Sequence, residues 1–177
     1  MKVEMVSPYD LKPLAMRSTY ALKPDLVVLA TSMSMYGWKS PVVVRAKDMT
    51  IIDGHERVAL AAANKELTVS GKIPAVMADV DEIDAMVMHV SMNRGRGEVV
   101  NTRLSKLLRY VNFSRKYSQS ELAAIFGMTE IEFGVLLDGS LIKSRKISEH
   151  VYSRAWVPIE AEKDEIPTTE RPPNPEG

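Results

Sequence analysis

The stretch MTIIDGHERVALAAA, residues 49–63, joins a short apolar run to an alanine-rich segment through the pair Asp53-Gly54. Asp-Gly is a turn pair, so Met49 to Ile52 is predicted to be a strand and Glu56 to Asn64 a helix. The first amides of a helix have no intrahelical partners, and the helix dipole adds about half a positive charge there. This order of elements indicates an anion site, although it also occurs as a plain structural connection.

Arg57 lies in the first turn of that predicted helix. The helix dipole disfavours a cation at this position. The placement is explained if an anion lies beside the guanidinium and shares it with the helix amides. The sequence therefore predicts that Arg57 binds an anion.

Composition limits the classes of protein to consider. The chain has 177 residues, 45% of them hydrophobic, and a formal net charge of zero, which suits one domain or a domain with a small appendage. It has no cysteine, which excludes disulfides, thiolate metal sites and a thiol nucleophile. Neither a bilayer-length apolar run nor a signal-peptide pattern is visible, so a cytoplasmic protein without a membrane partner is expected.

Charge is unevenly distributed along the chain. Residues 93–146 contain ten basic and five acidic side chains, whereas residues 158–177 contain six acidic and two basic ones. The second segment also has five prolines, so a disordered, acidic, proline-rich tail is predicted at 158–177. A basic middle followed by an acidic tail indicates a polyanion partner for the middle.

Helical and strand patterns alternate in the first half of the chain. A helix is predicted from Asp25 to Met33, with Gly37 as its C-cap. Further strands are predicted at 41–45 and 72–78, and further helices at 81–92 and from 101 onward. His89 lies alone in one of these helices, and a structural or surface role is predicted for it. The fold class expected is α+β, a small mixed sheet with helices, followed by an all-α segment.

Residues 118–137 have the pattern of a helix-turn-helix. Ser118 with Glu121 forms a capping box, and Gly127 provides the turn. Small Ala123 lets the two helices cross closely. Many such helix pairs serve only protein packing, so the pattern alone leaves both roles open.

The second helix of this pair is poorly equipped to read DNA bases. Its exposed positions carry Glu130, Glu132 and Gly134, with no Arg, Lys, Gln or Asn to meet base edges. Basic residues nearby could still contact phosphates, which predicts salt-dependent, weakly specific binding. The predicted DNA contacts are Arg103, Lys106, Arg115, Lys116, Thr129, Lys143, Arg145 and Lys146.

Taken together, these motifs resemble the ParB/sulfiredoxin superfamily. Gly54 and Arg57 match its G-x-x-R box, Asn93 and Arg96 match the later N-x-x-R box, and the helix-turn-helix follows in the expected place. The resemblance covers roughly residues 5 to 140. It implies a ParB/sulfiredoxin-like nucleotide-binding domain at 1–97 and a helical helix-turn-helix segment at 98–150.

The resemblance implies a nucleoside triphosphate, CTP or ATP with Mg²⁺, as the cofactor, and DNA as a partner. A homodimer is a further candidate assembly. The nucleotide would act as a switch and be hydrolysed slowly, if at all, in a partition or regulatory protein. The implied nucleotide-binding residues are Gly54, His55, Arg57, Asn93, Arg94 and Arg96; the metal ligands are left open.

Three positions depart from the family pattern. His55 stands where sulfiredoxins need a cysteine, which excludes that activity. Met92 stands where ParB proteins usually carry a glutamate that helps hold magnesium, and Glu56 replaces the first of two adjacent arginines. The form Asp53-Gly54-His55-Glu56-Arg57 is more similar to the kinase-like and phage-type relatives.

These departures leave two alternatives beside the nucleotide switch. One is an enzyme of the same superfamily, a phosphotransferase such as a free-serine kinase or a nuclease. In this enzyme His55 or Glu56 would be the general base, whereas in the nucleotide switch Glu56 or Asp53 would position the water for slow hydrolysis. The candidate catalytic residues are therefore Glu56, His55 and Asp53. The other is a DNA- or protein-binding adaptor with a degenerate nucleotide site.

Overall fold

The structure, a computed structural model, describes residues 2–19, 21–96, 99–138, 150–152 and 158–160. Residues up to Ile142 form one compact unit, and Lys143 to Gly177 form a second. The first unit contains a four-stranded mixed sheet and helices, so the predicted α+β class is confirmed. The predicted boundary between residues 97 and 98 falls inside this first unit.

The sheet contains the strands β1 (Val3–Val6), β2 (Val42–Arg45), β3 (Thr50–Asp53) and β4 (Ile73–Ala78). Their order is β1-β4-β2-β3, and only the central pair, β4 and β2, is parallel. Two helices precede or separate these strands: α1 (Lys23–Tyr36) and α2 (His55–Ala63). The remaining helices are α3 (Glu82–Arg94), α4 (Asn101–Phe113), α5 (Gln119–Ile125) and α6 (Glu130–Asp138).

Helices cover both faces of the sheet. Val42 and Val44 of β2 pack in a core that includes residues of α1 and α2, whereas Val43 packs in a second core with residues of α3 to α6. Successive side chains of a strand point to opposite faces, so an unbroken valine run requires two apolar layers. The helical segment shares the second core with α3, which explains why it belongs to the same unit as the sheet.

The helix-turn-helix pattern is borne out by α5 and α6. Ser118 Oγ accepts from the Glu121 amide, and the Glu121 carboxylate accepts from the Ser118 amide, which completes the predicted capping box. Gly127 has φ +60°, a conformation that favours glycine, and lies between the two helices. Phe133 and Leu136 of α6 are buried, and so are Leu122 and Ala123 of α5.

The end of β3 and the start of the predicted tail differ from prediction. Asp53, predicted to begin a turn, is the last residue of β3 and is 5% exposed. In the second unit, β5 (His150–Tyr152) pairs antiparallel with β6 (Pro158–Glu160), so the predicted tail begins with a strand. Residues 161–177 lie outside the described residues. In the described parts of the chain, no helix has both the length and the apolar character needed to cross a bilayer.

Candidate functional site

The turn from β3 into α2 is built around Gly54. Its φ of +90° lies in the left-handed region, and a Cβ placed there would lie 2.7 Å from Val42 Cγ1 and 3.0 Å from an Arg57 terminal nitrogen. A side chain is therefore excluded by conformation and by space. Gly54 is the N-cap of α2 and carries no side chain to cap the first amides, which leaves the helix N-terminus open to a ligand.

Arg57 returns from the first turn of α2 towards the strand before it. Its guanidinium donates to Asp53 Oδ2 at 3.2 Å and to the Ser40 and Pro41 carbonyl oxygens at 2.5 and 3.1 Å. The anion that the sequence required beside this arginine is thus supplied within the chain by Asp53, four residues earlier. These contacts also tie the start of β2 to the end of β3.

Arg96 reaches the same carboxylate from the other side. It follows the C-terminus of α3, and its guanidinium donates to Asp53 Oδ1 at 2.5 Å and to Asn93 Oδ1 at 2.9 Å. Asn93 is 3% exposed, and its amide nitrogen donates to the His89 carbonyl oxygen. The two motifs, about forty residues apart in sequence, therefore meet around Asp53.

A cleft of about 580 Å³ opens at this meeting point. Its charged lining consists of Asp25, Asp53, Glu56, Arg57 and Arg96. The remaining lining residues are Thr19, Ala21, Leu26, Leu29, Ser40, Gly54 and Asn93. A helix N-terminus, two guanidiniums and an apolar wall from α1 together suit a ligand with an anionic end and a flat or apolar end.

Two buried histidines lie beside the cleft, beneath residues 14–19. His55 Nε2 accepts from the Leu14 amide at 3.3 Å. His89 Nε2 accepts from the Ser18 amide at 3.0 Å, and its Nδ1 donates to the Ile52 carbonyl oxygen at 2.7 Å. The rings meet edge to face with centroids 5.6 Å apart. A structural or surface role was predicted for His89, and the structure shows the structural one: the buried ring joins the 14–19 segment to β3.

His55 does not line the cleft, contrary to its assignment as a nucleotide ligand or general base. It is 5% exposed, and its pKa is lowered to about 3 by burial, with a smaller contribution from the Arg17 charge. Burial likewise lowers the pKa of His89. The Nε2 lone pair of His55 is occupied by a backbone donor, so the ring has no lone pair available to accept a proton from a substrate.

Arg94 also lies away from the cleft. Its Nε donates to the Phe126 carbonyl oxygen at 2.6 Å, at the end of α5. A helix turns about 100° per residue, so neighbouring residues of a helix point in different directions. Asn93 therefore lines the cleft while Arg94 contacts the helix-turn-helix, so the structure does not bring Arg94 together with the other predicted nucleotide-binding residues.

Glu56 and Asp53, the other two catalytic candidates, do line the cleft. Glu56 lies 3.7 Å from an Arg17 terminal nitrogen, and Asp53 is bound by two arginines. Among the residues that the structure describes, no group of three His, Cys, Asp or Glu side chains could hold a metal ion.

Several predicted DNA contacts are already bound to other groups of the protein. Lys116 pairs with Asp81 and Asp84 at 2.5 and 2.6 Å, and Arg103 donates to the Thr19 carbonyl oxygen at 2.8 Å. The Thr129 hydroxyl donates to Glu132 in a second cap. Lys106, Arg115, Lys116 and Thr129 are exposed, and Arg103 is half-buried. Lys143, Arg145 and Lys146 lie outside the described residues.

Sequence reasoning missed one wall of the cleft and the segment over the histidines. Asp25, Leu26 and Leu29 come from α1, and Ser40 precedes β2. The helix predicted from Asp25 to Met33 gave no indication that one of its faces would line a cleft. Nothing local marks Thr19 or Ser40, because their contribution depends on packing between distant segments.

Comparison with solved structures yields ParB proteins, although no protein-family model and no curated protein matches the sequence. The C-terminally truncated chromosome-partitioning protein ParB of Caulobacter crescentus, complexed to the centromeric parS site, is similar with a TM-score of 0.55. It is 14% identical, over 82% of this chain and 78% of that one.

Two further structures are similar at lower scores. The Caulobacter crescentus ParB complexed with CTP-γ-S is 14% identical over 81% of this chain and 88% of that one, with a TM-score of 0.48. A Pnob8-like ParB N-domain is 16% identical over 90% of this chain and 56% of that one, with a TM-score of 0.49. At such identities a likeness concerns the fold, and the parS-bound structure supports this conclusion: the chain has a ParB-like fold.

Proposed function

We propose that this protein binds a nucleoside triphosphate in the cleft and is a DNA-associated protein of the partition or regulatory type. The observation that carries the proposal is the convergence of Gly54 and Arg57 with Asn93 and Arg96 at the open N-terminus of α2. Helix amides and guanidiniums are the groups that bind phosphate in proteins. The phosphates would lie at this end of the cleft.

The base and ribose would lie along the α1 side. Leu26 and Leu29 offer an apolar surface there, and Thr19 offers a polar side chain near it. CTP is the first nucleotide to test because the sequence motifs resemble those of ParB proteins, and ATP is the second. Magnesium would accompany the nucleotide, bound mainly by phosphate oxygens and water, because Asp53 is held by two arginines.

DNA association is supported by the fold and by the helical segment. The similar ParB structure with the higher score is complexed to parS DNA. In this chain, α6 presents Glu130, Ile131 and Val135 to solvent, so phosphate contacts rather than base contacts would dominate. Binding would be weakly specific and sensitive to salt.

Residues 17–19 supply a connection between cleft and helical segment. The Thr19 carbonyl oxygen accepts from Arg103 of α4, the Ser18 carbonyl accepts from the Val100 amide, and Thr19 lines the cleft. A nucleotide that binds more tightly to one position of this segment would favour that position, and α4, which is bonded to the segment, would move with it. This supports a switch in which nucleotide and DNA each alter the affinity for the other.

The test is calorimetric titration of CTP, ATP, ADP and GTP with magnesium, with and without duplex DNA. Arg96→Ala is the variant of choice because Arg96 is 43% exposed, whereas Arg57 is 17% exposed and joins two strands. Loss of a hydrogen bond to a charged group costs about 1.5–3 kcal/mol of binding free energy, so nucleotide affinity should fall about tenfold to a hundredfold. Arg109→Ala, an exposed arginine on α4 away from the cleft, is the matched control.

Binding that DNA strengthens, and that Arg96→Ala but not Arg109→Ala weakens, is the expected result. Adenine-nucleotide binding indifferent to DNA would favour the phosphotransferase alternative. Absence of any nucleotide binding by the folded wild-type protein would favour the adaptor.

Slow hydrolysis would depend on Glu56. It is a cleft carboxylate in the first turn of α2, the end of the cleft where the phosphates are proposed to lie, and its partner is Arg17. Glu56→Gln should then abolish phosphate release while nucleotide affinity is kept. Release at the wild-type rate would remove Glu56 from the mechanism.

A further inference from the structure

Asp53 occupies the place of an anion in the cleft. Its side chain is 6% exposed, and its two oxygens accept from Arg57 at 3.2 Å and from Arg96 at 2.5 and 3.3 Å. Carboxylates and phosphates bind a guanidinium through the same fork of N–H donors. The groups that would hold a ligand phosphate are therefore already bound to a carboxylate of the same chain.

The two arginines are held differently. Arg57 donates to the Ser40 hydroxyl and to two backbone carbonyl oxygens as well as to Asp53, and it is largely buried. Arg96 lies at the rim, 43% exposed, and contacts Asp53 and Asn93 at the mouth of the cleft. Arg96 can turn towards an incoming ligand without breaking contacts between strands, whereas Arg57 cannot.

The charge of the cleft lining means that the ion pairs of Asp53 affect how a phosphate can bind. Asp25, Asp53 and Glu56 oppose Arg57 and Arg96 in its lining, so the lining carries no excess of positive charge. A phosphate brought close to Arg96 meets the Asp53 carboxylate at the distance of a direct contact. Repulsion between like charges is strong in a partly buried site, where water screens it less.

We propose that Asp53 is a resident anion that competes with the ligand's phosphates for Arg96 while it keeps Arg57 in place. The inference rests on the proposed function, since it concerns the same site. Binding is then an exchange in which Arg96 leaves Asp53 for a phosphate group. Only a ligand with several phosphates supplies enough contacts to offset the lost ion pair, so Asp53 selects polyphosphates against inorganic phosphate.

The test uses sodium tripolyphosphate and inorganic phosphate as probes, titrated calorimetrically into wild type, Asp53→Asn and Asp25→Asn at one ionic strength. Asp25 is the matched control. It lines the same cleft, and its carboxylate accepts from the Leu22 amide at the N-terminus of α1. Both substitutions remove one negative charge from the cleft, but only Asp53→Asn breaks the ion pairs with the two arginines.

Asp53→Asn should bind tripolyphosphate at least about tenfold more tightly than wild type and should gain measurable affinity for inorganic phosphate. Asp25→Asn should change either affinity by less than about threefold, because its charge acts only from a distance through solvent. The ligand-free melting temperature of Asp53→Asn should fall, because two guanidiniums lose their buried partner, and tripolyphosphate should restore it.

Unchanged or weaker tripolyphosphate binding by folded Asp53→Asn, with wild type binding normally, would overturn the resident-anion proposal alone. Equal gains in Asp53→Asn and Asp25→Asn would overturn it too, since general charge would then explain the effect. Absence of tripolyphosphate binding by wild type and both variants would overturn the proposed function together with this inference.

A second measurement needs no substitution at Asp53 and serves if that variant does not fold. Carbon-13 NMR follows the aspartate side-chain carboxyl signals, and nitrogen-15 NMR follows the arginine Nε signals, of the wild-type protein during titration with tripolyphosphate. The Asp53 carboxyl and Arg96 Nε signals should shift together to a saturated end point. Saturation with tripolyphosphate while both signals stay in place would show that the pair persists and would overturn the exchange.

Discussion

Two regions of this molecule place cationic side chains in different ways. In the cleft, Arg57 and Arg96 come from distant stretches and converge on one buried carboxylate beside an open helix end. In the helical segment the cations are dispersed, and several of them bind carbonyl or carboxylate groups of the protein. Arg109 donates to the Leu137 carbonyl oxygen, and Lys116 pairs with two aspartates at the start of α3.

The difference shows what a count of basic residues can establish. The excess of positive charge in residues 93–146 indicated a polyanion partner, but part of this charge is neutralised by partners far away in sequence. Lys116 is an example: its ammonium stays charged, since Asp81 and Asp84 raise its pKa, but the two carboxylates beside it compensate that charge. Convergence of cations therefore indicates a ligand site better than their number does.

The largest effect that tests this comparison is expected from two glycines. Gly54→Ala should cost about 2–4 kcal/mol of unfolding free energy, because alanine is strained at its positive φ and its Cβ would meet Val42. Gly127→Ala is the matched control in the helix-turn-helix. Its φ is similarly positive, but no atom would lie within 4 Å of the added Cβ, so about 1 kcal/mol is expected.

Urea denaturation of both variants gives the two values. Equal losses would mean that only backbone conformation matters at Gly54 and that Val42 moves aside at no cost. A larger loss at Gly127 would reverse the comparison and place the tighter turn in the helical segment.

The Gly54 turn was visible in the sequence, and its surroundings were not. Asp-Gly before a charged triplet predicted a strand, a turn and a helix, and all three are present. The spacing said that an anion should lie near Arg57, but it could not say that Asp53 would be that anion, since Asp53 was assigned to the turn. Because β3 continues one residue further than predicted, the Asp53 carboxylate is buried and not solvent-exposed.

His55 also shows that a local motif does not predict burial. Its place in the motif gave it a chemical role, and the fold buries it beneath residues 14–19. The helix-turn-helix was predictable because its signals, a capping box and a turn glycine, act within a few residues. The cleft wall from α1 was not, because it depends on how distant helices pack on the sheet.

The buried histidines beside the cleft predict a pH dependence of stability. His55 has its folded pKa lowered from 6.5 to about 3, and His89 is shifted in the same direction. Below pH 6.5 the unfolded chain therefore binds protons that the folded protein excludes. The full contribution is present above pH 6.5 and is progressively lost as the pH falls towards 3, by at most about 1.4 kcal/mol per pH unit for each histidine.

Urea denaturation at pH 7.0, 6.0 and 5.0 measures this slope before most carboxylates titrate. His55→Gln should lower stability at pH 7.0 and reduce the slope by the share of one histidine. A wild-type slope equal to that of His55→Gln would mean that His55 is protonated in the folded protein and that its ring is more accessible than its burial indicates.

The smallest effect expected lies in the helical segment, where two lysines can be compared directly. Lys106 is exposed on α4, whereas Lys116 is paired with Asp81 and Asp84. Loss of one phosphate contact lowers the slope of log affinity against log salt by about 0.9. Lys106→Ala should show such a decrease with a labelled mixed-sequence duplex in fluorescence anisotropy between low and moderate salt.

Lys116→Ala should leave that slope unchanged, because its ammonium is neutralised by two carboxylates and releases no counterion from DNA. Circular dichroism melting of both variants checks that each remains folded. A slope reduced by Lys116→Ala and untouched by Lys106→Ala would mean that DNA takes Lys116 from its aspartates. The ion pairs of Lys116 with Asp81 and Asp84 would then break when DNA binds. Lys116 would exchange carboxylate partners for a phosphate, as Arg96 is proposed to do in the cleft.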